Sequence, residues 1–247
     1  MDSYNSFSEY YDELLEDGRY EERCRYILEA AEKFGHPMGK TLDLACGTGT
    51  LTLLLRQSGV DVFGVDGSVE MLSEAMQKSL ASGEHILYVC QQMQNLELAG
   101  KIDTCVCTLD SLNHLTDEED VQRAFSGVGK YMTQGGLFIF DVNTVYKHRE
   151  VLADNAFILE NERVFCAWQN FLRENDIVDI SLDFFEEENG VYHRSSEDFS
   201  ERAYSEEILR GMLENAGFEV LAVCSDLSFD QPKPDDQRII FIAKKTN

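Results

Sequence analysis

One short stretch, residues 41–50, constrains the fold of this chain more than any other. Its first five residues have the pattern of a buried strand, Gly47 and Gly49 make a turn, and a leucine-rich helix follows. The next apolar run ends at an acidic residue, Asp66. A glycine turn lets a ligand approach the backbone, and a carboxylate after the second strand can accept both hydroxyl protons of a ribose. The layout predicts a nucleotide-type cofactor site on a doubly wound sheet.

Two details distinguish this stretch from the dinucleotide-binding fingerprint. The third glycine of that fingerprint is missing, because Thr52 stands in its place. Asp43 lies inside the first predicted strand, where its carboxylate would repel a pyrophosphate but would attract a cationic amino group. Both details disfavour an NAD-linked oxidoreductase.

Alternating strands and helices predict a parallel sheet through the first part of the chain. Short apolar runs without alternation are typical of parallel strands that helices cover on both faces. We expect helices at residues 7–15 and 20–34, N-caps at Ser68 and Thr116, and a glycine turn at residues 135–136. The predicted strands are residues 41–45, 61–66, 86–90, 102–107 and 137–141.

The pattern changes after Asn143. Apolar and polar residues alternate over residues 178–184, which predicts a strand with one buried face, and the Asn-Gly pair at 189–190 predicts a hairpin. We therefore expect an antiparallel insertion at residues 156–199, within a domain formed by residues 1–155 and 200–247. A helix around Leu213 resumes the α/β pattern. The remaining predicted strands are residues 157–159, 164–171, 218–224 and 238–243.

The charge balance bears on possible partners. The sequence has 46 Asp and Glu against 21 Lys and Arg, which gives a formal net charge of -25. Such a field repels polyanions, so we do not expect nucleic acid as a partner. The cysteines are scattered and show no metal-clamp spacing, so we expect reduced thiols and no metal. With no signal peptide or membrane span apparent, we expect a cytoplasmic monomer or homodimer.

Several segments together resemble the motifs of class I S-adenosylmethionine (SAM) dependent methyltransferases, in the bacterial branch that acts on small molecules. The stretch Leu-Asp-Leu-Ala-Cys-Gly-Thr-Gly is similar to the first motif, and the resemblance extends over almost the whole chain. It implies a Rossmann-like α/β fold with a seven-stranded, mostly parallel sheet and an N-terminal helical lid. The segments that carry the resemblance are residues 10–12, 42–49, 63–72, 107–115, 135–141 and 215–218.

The resemblance implies a set of contacts with SAM. Asp43 would lie along the methionine part, Asp66 would bind the ribose hydroxyls, and Gln92 would accept a hydrogen bond from the adenine amine. The family often has an acidic residue where this chain has Gln92, and a tryptophan where it has Arg23. The implied cofactor contacts are Tyr11, Asp43, Ala45, Cys46, Gly47, Gly49, Asp66, Gly67, Ser68, Met71, Gln92, Met93 and Asp110.

The same resemblance implies methyl transfer by in-line displacement, in which the protein mainly aligns the reacting atoms. Asp110 and His114 are the candidate catalytic residues, because both follow the fourth strand, and His114 could act as a base. We expect His148 and His193 to be surface residues. The candidate acceptor-lining residues are Tyr146, Trp168, Tyr192 and Arg202.

Two questions stay open at this point. An insertion after the fifth strand would overhang the carboxyl ends of the strands, so it could form a lid or wall of the acceptor pocket, or else a dimer surface. The acceptor is expected to be a small molecule with a nitrogen, oxygen or carboxylate nucleophile. The alternative is a non-catalytic SAM-binding module that regulates or docks a partner.

Overall fold

The computed structural model of the protein describes residues 19–161, 164–188 and 190–246. Tyr11 and the helix predicted at residues 7–15 lie outside the described residues. The helices are α1 (Tyr20–Lys33), α2 (Thr50–Gln57), α3 (Val69–Ala81), α4 (Glu118–Tyr131) and α5 (Glu206–Asn215). The strands are β1 (Lys40–Leu44), β2 (Asp61–Asp66), β3 (Tyr88–Cys90), β4 (Ile102–Cys107), β5 (Met132–Asn143), β6 (Ala156–Glu160), β7 (Val164–Leu172), β8 (Ile177–Glu188), β9 (Val191–Arg202), β10 (Phe218–Ser225) and β11 (Arg238–Lys245).

The main sheet has seven strands in the order β3-β2-β1-β4-β5-β11-β10. Strands β1 to β5 pair in parallel, whereas β11 runs antiparallel to both β5 and β10. The predicted parallel arrangement is therefore confirmed. The strand order reverses between β1 and β4, and ligands bind at such switch points, outside the carboxyl ends of the strands. The start of β11 lies at that same edge, because Arg238 pairs with Asn143.

Helices cover both faces of the main sheet, which explains why its strands are continuously apolar. In β5, Phe138 and Phe140 are buried on one face, where Phe125 of α4 packs against them. Ile139 points to the opposite face and belongs to a second buried cluster with Ile27 of α1. Alternate residues of a strand point to opposite faces, so a strand buried on both sides needs apolar residues at every position.

A second sheet, with strand order β6-β7-β8-β9, is antiparallel throughout. Its strands form the predicted insertion, which we call the insertion sheet. Val178 and Ile180 of β8 are buried on its inner face, while Asp179 and Asp183 on the outer face bond to surface arginines. The period-two pattern is confirmed. The last strand continues to Arg202, three residues beyond the predicted end, because Arg202 still pairs with Ile177.

Three local predictions differ from the structure. The N-cap of α4 is Asp117, whose carboxylate accepts from the Glu119 N–H at 2.9 Å, and not Thr116. The two glycines at 135–136 lie inside β5, where a bulge shifts its pairing with β4, so they do not form a turn before the strand. Strand β3 is shorter than predicted. The Ser68 cap of α3 is confirmed, since its hydroxyl accepts from the Met71 N–H at 3.1 Å.

Asn113 ties the insertion sheet to the main sheet. Its side-chain amide donates to the Arg202 carbonyl at 2.9 Å and to the Asn143 carbonyl at 3.2 Å, and its oxygen accepts from the Asn143 N–H. All three bonds are buried or partly buried, where a lost partner would be costly. This junction fixes β9 above the carboxyl edge. No helix in the described ranges is long and apolar enough to cross a membrane.

Candidate functional site

Two neighbouring cavities lie at the carboxyl edge of the main sheet. The first, which we call the turn cavity, measures about 420 Å³, and the second, the insertion cavity, about 700 Å³. The turn cavity is lined by Ala45, Gly47, Asp66, Gly67, Ser68, Glu70, Met71, Gln91, Gln92, Met93, Ser111, His114, Glu197 and Phe199. The insertion cavity is lined by Arg19, Arg23, Leu109, Asp110, His114, Lys147, Leu159, Cys166, Trp168, Leu182, Phe184, Phe199, Glu201, Ser225, Asp226, Asp235, Asp236, Gln237 and Arg238.

The glycine turn after β1 forms the floor of the turn cavity. Gly47 has a φ of +52°, and a Cβ added to it would meet no protein atom within 4 Å, so its open side faces the cavity. Gly49 has a φ of +72°, and a Cβ there would lie 2.7 Å from both Ala75 and the Tyr88 hydroxyl. Gly47 thus gives a ligand access to the backbone, whereas Gly49 allows the turn to pack against α3 and β3.

Asp66, at the end of β2, joins the turn to the next loop. Its carboxylate accepts from the Gly47 N–H at 2.8 Å and from the Ser68 N–H at 2.9 Å, one bond to each oxygen. Burial raises the pKa of Asp66, and these N–H bonds oppose the rise. A carboxylate has about four acceptor positions, so Asp66 can still accept two hydroxyl protons from the cavity.

Asp43, Cys46 and Gly49 do not line the turn cavity, although the sequence predicted all of them as contacts. Asp43 is buried in β1, and the Thr52 hydroxyl donates to it at 2.5 Å. Burial raises the pKa of Asp43 to about 7. Burial also raises the pKa of the Cys46 thiol. The Thr52 hydroxyl that bonds to Asp43 belongs to the first turn of α2, so the Asp43 carboxylate lies beside the start of that helix.

Gln92 and Met93 line the far end of the turn cavity, after β3. The Gln92 amide nitrogen lies 3.5 Å from the Gly67 carbonyl, and a Cβ on Gly67 would come within 2.4 Å of that nitrogen. The glycine therefore makes room for the Gln92 side chain. The predicted contacts Ala45, Gly47, Asp66, Gly67, Ser68, Met71, Gln92 and Met93 are brought together around this one cavity.

The backbone after β4 is strained where it enters the site. Leu109 and Asp110 have φ values of +57° and +53°, a left-handed conformation that costs free energy in residues with a side chain. The buried carboxylate of Asp141 holds this turn by accepting from both N–H groups, at 3.0 Å and 2.8 Å. The position of Asp110 therefore depends on a neighbour from β5 that sequence reasoning missed.

Asp141 also joins two arginines that are distant in sequence. Arg23 of α1 donates to one of its oxygens at 2.8 Å, and Arg238 of β11 donates to the other at 2.6 Å. A second nitrogen of Arg238 donates to Asp110 at 2.7 Å. Arg23, which replaces a tryptophan of the family pattern, is thus part of a buried ion-pair network.

Asp110 lines the insertion cavity and not the turn cavity. Burial by itself would raise the pKa of Asp110, but the Arg238 guanidinium and Lys147 outweigh this effect and hold the pKa well below its usual range. The Asn143 amide also donates to Asp110 at 2.6 Å. Asp110 is therefore ionised at neutral pH, and its strong hydrogen bonds make it a poor proton acceptor.

Glu201 of β9 is a second buried carboxylate in the insertion cavity, and the sequence analysis did not include it. It accepts from the Asn143 amide at 3.2 Å and lies 3.8 Å from His114 and 3.7 Å from His148. Burial raises the pKa of Glu201, and the Asp110 charge raises it further. The sequence does contain a pattern that could have located Glu201. Alternate residues of β9 share one buried face, and this face carries Glu197, Phe199 and Glu201.

The predicted acceptor-lining residues have different positions. Trp168 lines the insertion cavity, where its indole N–H donates to Asn170. Tyr146 and Tyr192 do not line it, and Tyr192 is 66% exposed near the hairpin tip. Arg202 also lies outside both cavities, since it donates to Glu118 at 2.6 Å at the start of α4. The structure does not bring these three residues to either cavity: Tyr146 lies at the start of the short helix after β5, and the register of β9 turns the side chains of Tyr192 and Arg202 away.

His148 is fully buried, with 0% exposure, contrary to the surface position predicted for it. Its Nδ1 lies 2.8 Å from the Asp176 carbonyl, and burial lowers its pKa. His193, by contrast, is exposed in β9, as predicted. The local sequence gave no sign of the difference, because the burial of His148 depends on the insertion sheet that covers it.

His114 and Phe199 line both cavities, and their ring centroids are 5.2 Å apart. They form the shared wall through which the two cavities meet. Glu197, two residues from Phe199, lines the turn cavity; its Oε2 atom is buried and forms no hydrogen bond with the described residues. Burial raises the pKa of Glu197 to about 7.

Comparison with known proteins shows the family. Residues 41–136 match the family described as a methyltransferase domain. The crystal structure of a SAM-dependent methyltransferase from Clostridium acetobutylicum ATCC 824 is 33% identical, with a TM-score of 0.92 over 99% of each chain. YqeM of Bacillus subtilis (strain 168), whose name gives its methyltransferase assignment as provisional, is 33% identical over 98% of this chain and 97% of its own length. A glycine/sarcosine N-methyltransferase from Aphanothece halophytica is 26% identical over 97% of this chain and 88% of its own.

The chain belongs to the SAM-dependent methyltransferases and has their class I fold. It is an enzyme, and SAM is its methyl donor. The turn cavity fits this ligand, because Gly47 leaves the backbone accessible and Asp66 keeps acceptor positions for a ribose.

Proposed function

We propose that this enzyme methylates a small molecule held in the insertion cavity. The observation that carries the proposal is the pair of adjoining cavities with His114 and Phe199 as their shared wall. A donor in one cavity and an acceptor in the other would meet at that wall. The insertion cavity, at about 700 Å³, has the usual volume of a small-ligand pocket.

In this proposal the turn cavity binds SAM through the residues named from the sequence. Asp66 accepts the ribose hydroxyls, Gln92 and Met93 contact the adenine, and Gly47 lies along the methionine part. Asp43 stabilises the ammonium group from behind the turn. SAM, when bound, supplies a methyl group that is activated by a positively charged sulfur. Tyr11 remains a proposed contact outside the described residues.

The protein's own contribution is to orient the acceptor and to exclude water. The insertion sheet contributes aromatic and aliphatic side chains to the wall of its cavity, among them Trp168, Leu182 and Phe184. Alignment of two bound reactants can supply about 7–11 kcal/mol of barrier reduction without any covalent contribution from the protein. We assign the insertion sheet as the wall of the acceptor pocket. The bonds of Asn113 to Arg202 and Asn143 support that assignment, because they fix β9 over the carboxyl edge.

The test is to incubate the protein with methyl-labelled SAM and either a low-molecular-weight metabolite extract or bulk tRNA and rRNA. We expect label in the small-molecule extract and none in RNA, since the net charge of -25 opposes RNA binding. Label in RNA and in no metabolite fraction would contradict the proposal.

A further inference from the structure

Glu201 differs in its partners from Asp110 and Asp226, two other carboxylates of the insertion cavity. Asp110 is paired with Arg238 at 2.7 Å, and Asp226 lies 3.4 Å from Arg19. Within the described part of the chain, neither Lys nor Arg forms an ion pair with Glu201. Its hydrogen-bond donor is the Asn143 amide, at 3.2 Å. Glu201 is therefore a buried carboxylate that still needs a cationic partner.

The surroundings of Glu201 suit an ammonium ion. Phe199 lies two residues away on the same inner face of β9, and Trp168 and Phe184 line the same cavity. Aromatic faces attract cations, and a carboxylate beside such faces supplies the counter-charge. Lys147, a cation that lines the same cavity, donates to the Asn143 oxygen at 2.9 Å and not to Glu201.

The contacts of His148 leave an unpartnered ring nitrogen beside Glu201 within the described part of the chain. The Asp176 carbonyl can only accept, so His148 donates to it through Nδ1, and in the neutral ring the Nε2 atom keeps a lone pair. That Nε2 atom is buried, forms no hydrogen bond with the residues that the structure describes, and lies 3.7 Å from a Glu201 oxygen. A proton that Glu201 takes up would face this lone pair, and a closer approach of the two atoms would let them share it, whereas without a proton the lone pair faces a carboxylate.

We infer that the methyl acceptor is a primary or secondary amine that enters the insertion cavity as an ammonium ion, and that Glu201 takes its proton. This inference rests on the proposed function. The ammonium N–H bond breaks and its proton goes to the Glu201 carboxylate. The nitrogen lone pair then forms the N–C bond, the C–S bond breaks, and its electron pair returns to sulfur. The product leaves as a methylated ammonium, and Glu201 returns its proton to solvent.

Glu201 is a catalytic residue in this scheme, and His148 is a positioning residue that acts through it. The charged and titratable groups that face the pair come from several elements. Asp110 follows β4, His114 lies in the short helix after it, Lys147 precedes His148, and Asp176 precedes β8. Asp110 raises the pKa of Glu201, whereas His114 and Lys147 lower it.

The first experiment identifies the acceptor class. A low-molecular-weight extract is separated by ion exchange at neutral pH into cationic, neutral and anionic fractions, and each is incubated with the full chain and methyl-labelled SAM. Label transfer in the cationic fraction is expected. Transfer only in the neutral or anionic fraction overturns the inference but leaves the proposed function standing. If no fraction is labelled while calorimetry still shows SAM binding, the proposed function fails as well.

The second experiment tests Glu201 with the acceptor so found. Glu201→Gln should lower kcat about 100-fold or more, because general bases contribute about 10²–10⁴-fold. The rate of the Glu201→Gln variant should rise roughly tenfold per pH unit up to the pKa of the amine, because without the base only amine that is already neutral reacts. The wild-type rate should rise less steeply. The matched control, Glu187→Gln, changes an exposed carboxylate of the same sheet and should keep the wild-type profile.

Two readouts separate a chemical role from a structural one. SAM affinity and melting temperature should be unchanged in Glu201→Gln, and acceptor binding, followed by the fluorescence of Trp168, should be weaker by about tenfold or more. Trp168 is the single tryptophan of the chain. In His148→Gln, Glu201 is still present as the base. The pH at which kcat falls on the acidic side should nevertheless shift. A Glu201→Gln profile and rate equal to those of the wild type would overturn the assignment.

Discussion

At the scale of single residues, the buried carboxylates of the site differ in chemistry because their partners differ. Asp110 is ionised beside Arg238, Asp66 is held by two backbone N–H groups, and Asp43 bonds to the Thr52 hydroxyl and to no charged group among the described residues. Charged partners stabilise the ionised form, and burial without them favours the neutral form. Each carboxylate can therefore be assigned a separate role and tested separately.

Replacing Asp66 tests its proposed contact with the ribose. Asp66→Ala should weaken SAM binding roughly ten- to a hundredfold, because a hydrogen bond to a charged group contributes about 1.5–3 kcal/mol. Titration calorimetry measures the effect. Asp61→Ala, an exposed change at the other end of β2, is the matched control and should bind as the wild type does. Equal SAM affinity in Asp66→Ala would refute the contact.

The pH dependence of SAM binding tests Asp43. Because burial raises the pKa of Asp43 to about 7, this carboxyl is partly protonated in the ligand-free protein at neutral pH, and a bound ammonium group would expel the proton. SAM affinity should therefore rise as the pH increases through about 7, and fall by up to roughly tenfold per unit below it. Calorimetry in buffers with different ionisation enthalpies measures the proton release. Asp43→Asn should release fewer protons than the wild type when SAM binds. Equal proton release by the variant and the wild type would argue against a contact between Asp43 and the ammonium group.

At the scale of elements, Asp141 determines how four parts of the chain meet. Its carboxylate joins the turn after β4 to Arg23 of α1 and Arg238 of β11, while it belongs itself to β5. Removal of one partner leaves a buried charge unpaired, which is strongly destabilising. In the complete network each of these buried charges has a partner of opposite sign. The strained turn at Asp110 is held by this network.

A double-mutant cycle tests the pairing within this network. Asp141→Asn should lower the free energy of unfolding by about 3–5 kcal/mol, because Arg23 and Arg238 would lose their shared charge. Arg23→Met in the same chain should cost about 0.5–3 kcal/mol less than the sum of the single changes. Urea unfolding measures each variant. Arg25→Met, on the exposed side of α1, should be additive with Asp141→Asn, and additivity for Arg23 as well would exclude the pairing.

The helices and strands could be predicted from the sequence, but the long-range contacts between them could not. Period and turn signals located most strands, and the spacing from Gly47 to Asp66 identified the turn cavity. Arg23 and Asp141 are 118 positions apart, and Arg238 and Asp141 are 97 apart, so no local pattern could pair them. Glu201 was missed for a similar reason: its place beside His148 depends on strand register and on how the insertion sheet folds over the edge.

At the scale of the whole molecule, ligand binding and folding are linked. The turn cavity joins Asp66 of β2 and the residues that follow β1 and β3 to β9 of the insertion sheet, so a ligand there contacts both sheets. A ligand that binds only the folded state stabilises it by mass action. The demethylated product, S-adenosylhomocysteine, is therefore expected to stabilise the entire chain.

Thermal unfolding measures this linkage. At about 100 times its Kd the product should add about 2.7 kcal/mol of stability. For a chain of this length that corresponds to roughly 5–10 °C in Tm. Asp66→Ala should show a smaller rise at the same concentration. No rise in the wild type at a concentration that saturates binding would contradict the linkage.

In the proposed function, the methyl group passes from the turn cavity to the insertion cavity at the wall formed by His114 and Phe199. The most direct measurement is a crystal structure of the protein with S-adenosylhomocysteine. We expect the adenine at Gln92 and Met93, the ribose at Asp66, and the sulfur facing His114 and Phe199 with the insertion cavity beyond them. A sulfur directed away from that wall, or an adenine in the insertion cavity, would contradict the claim.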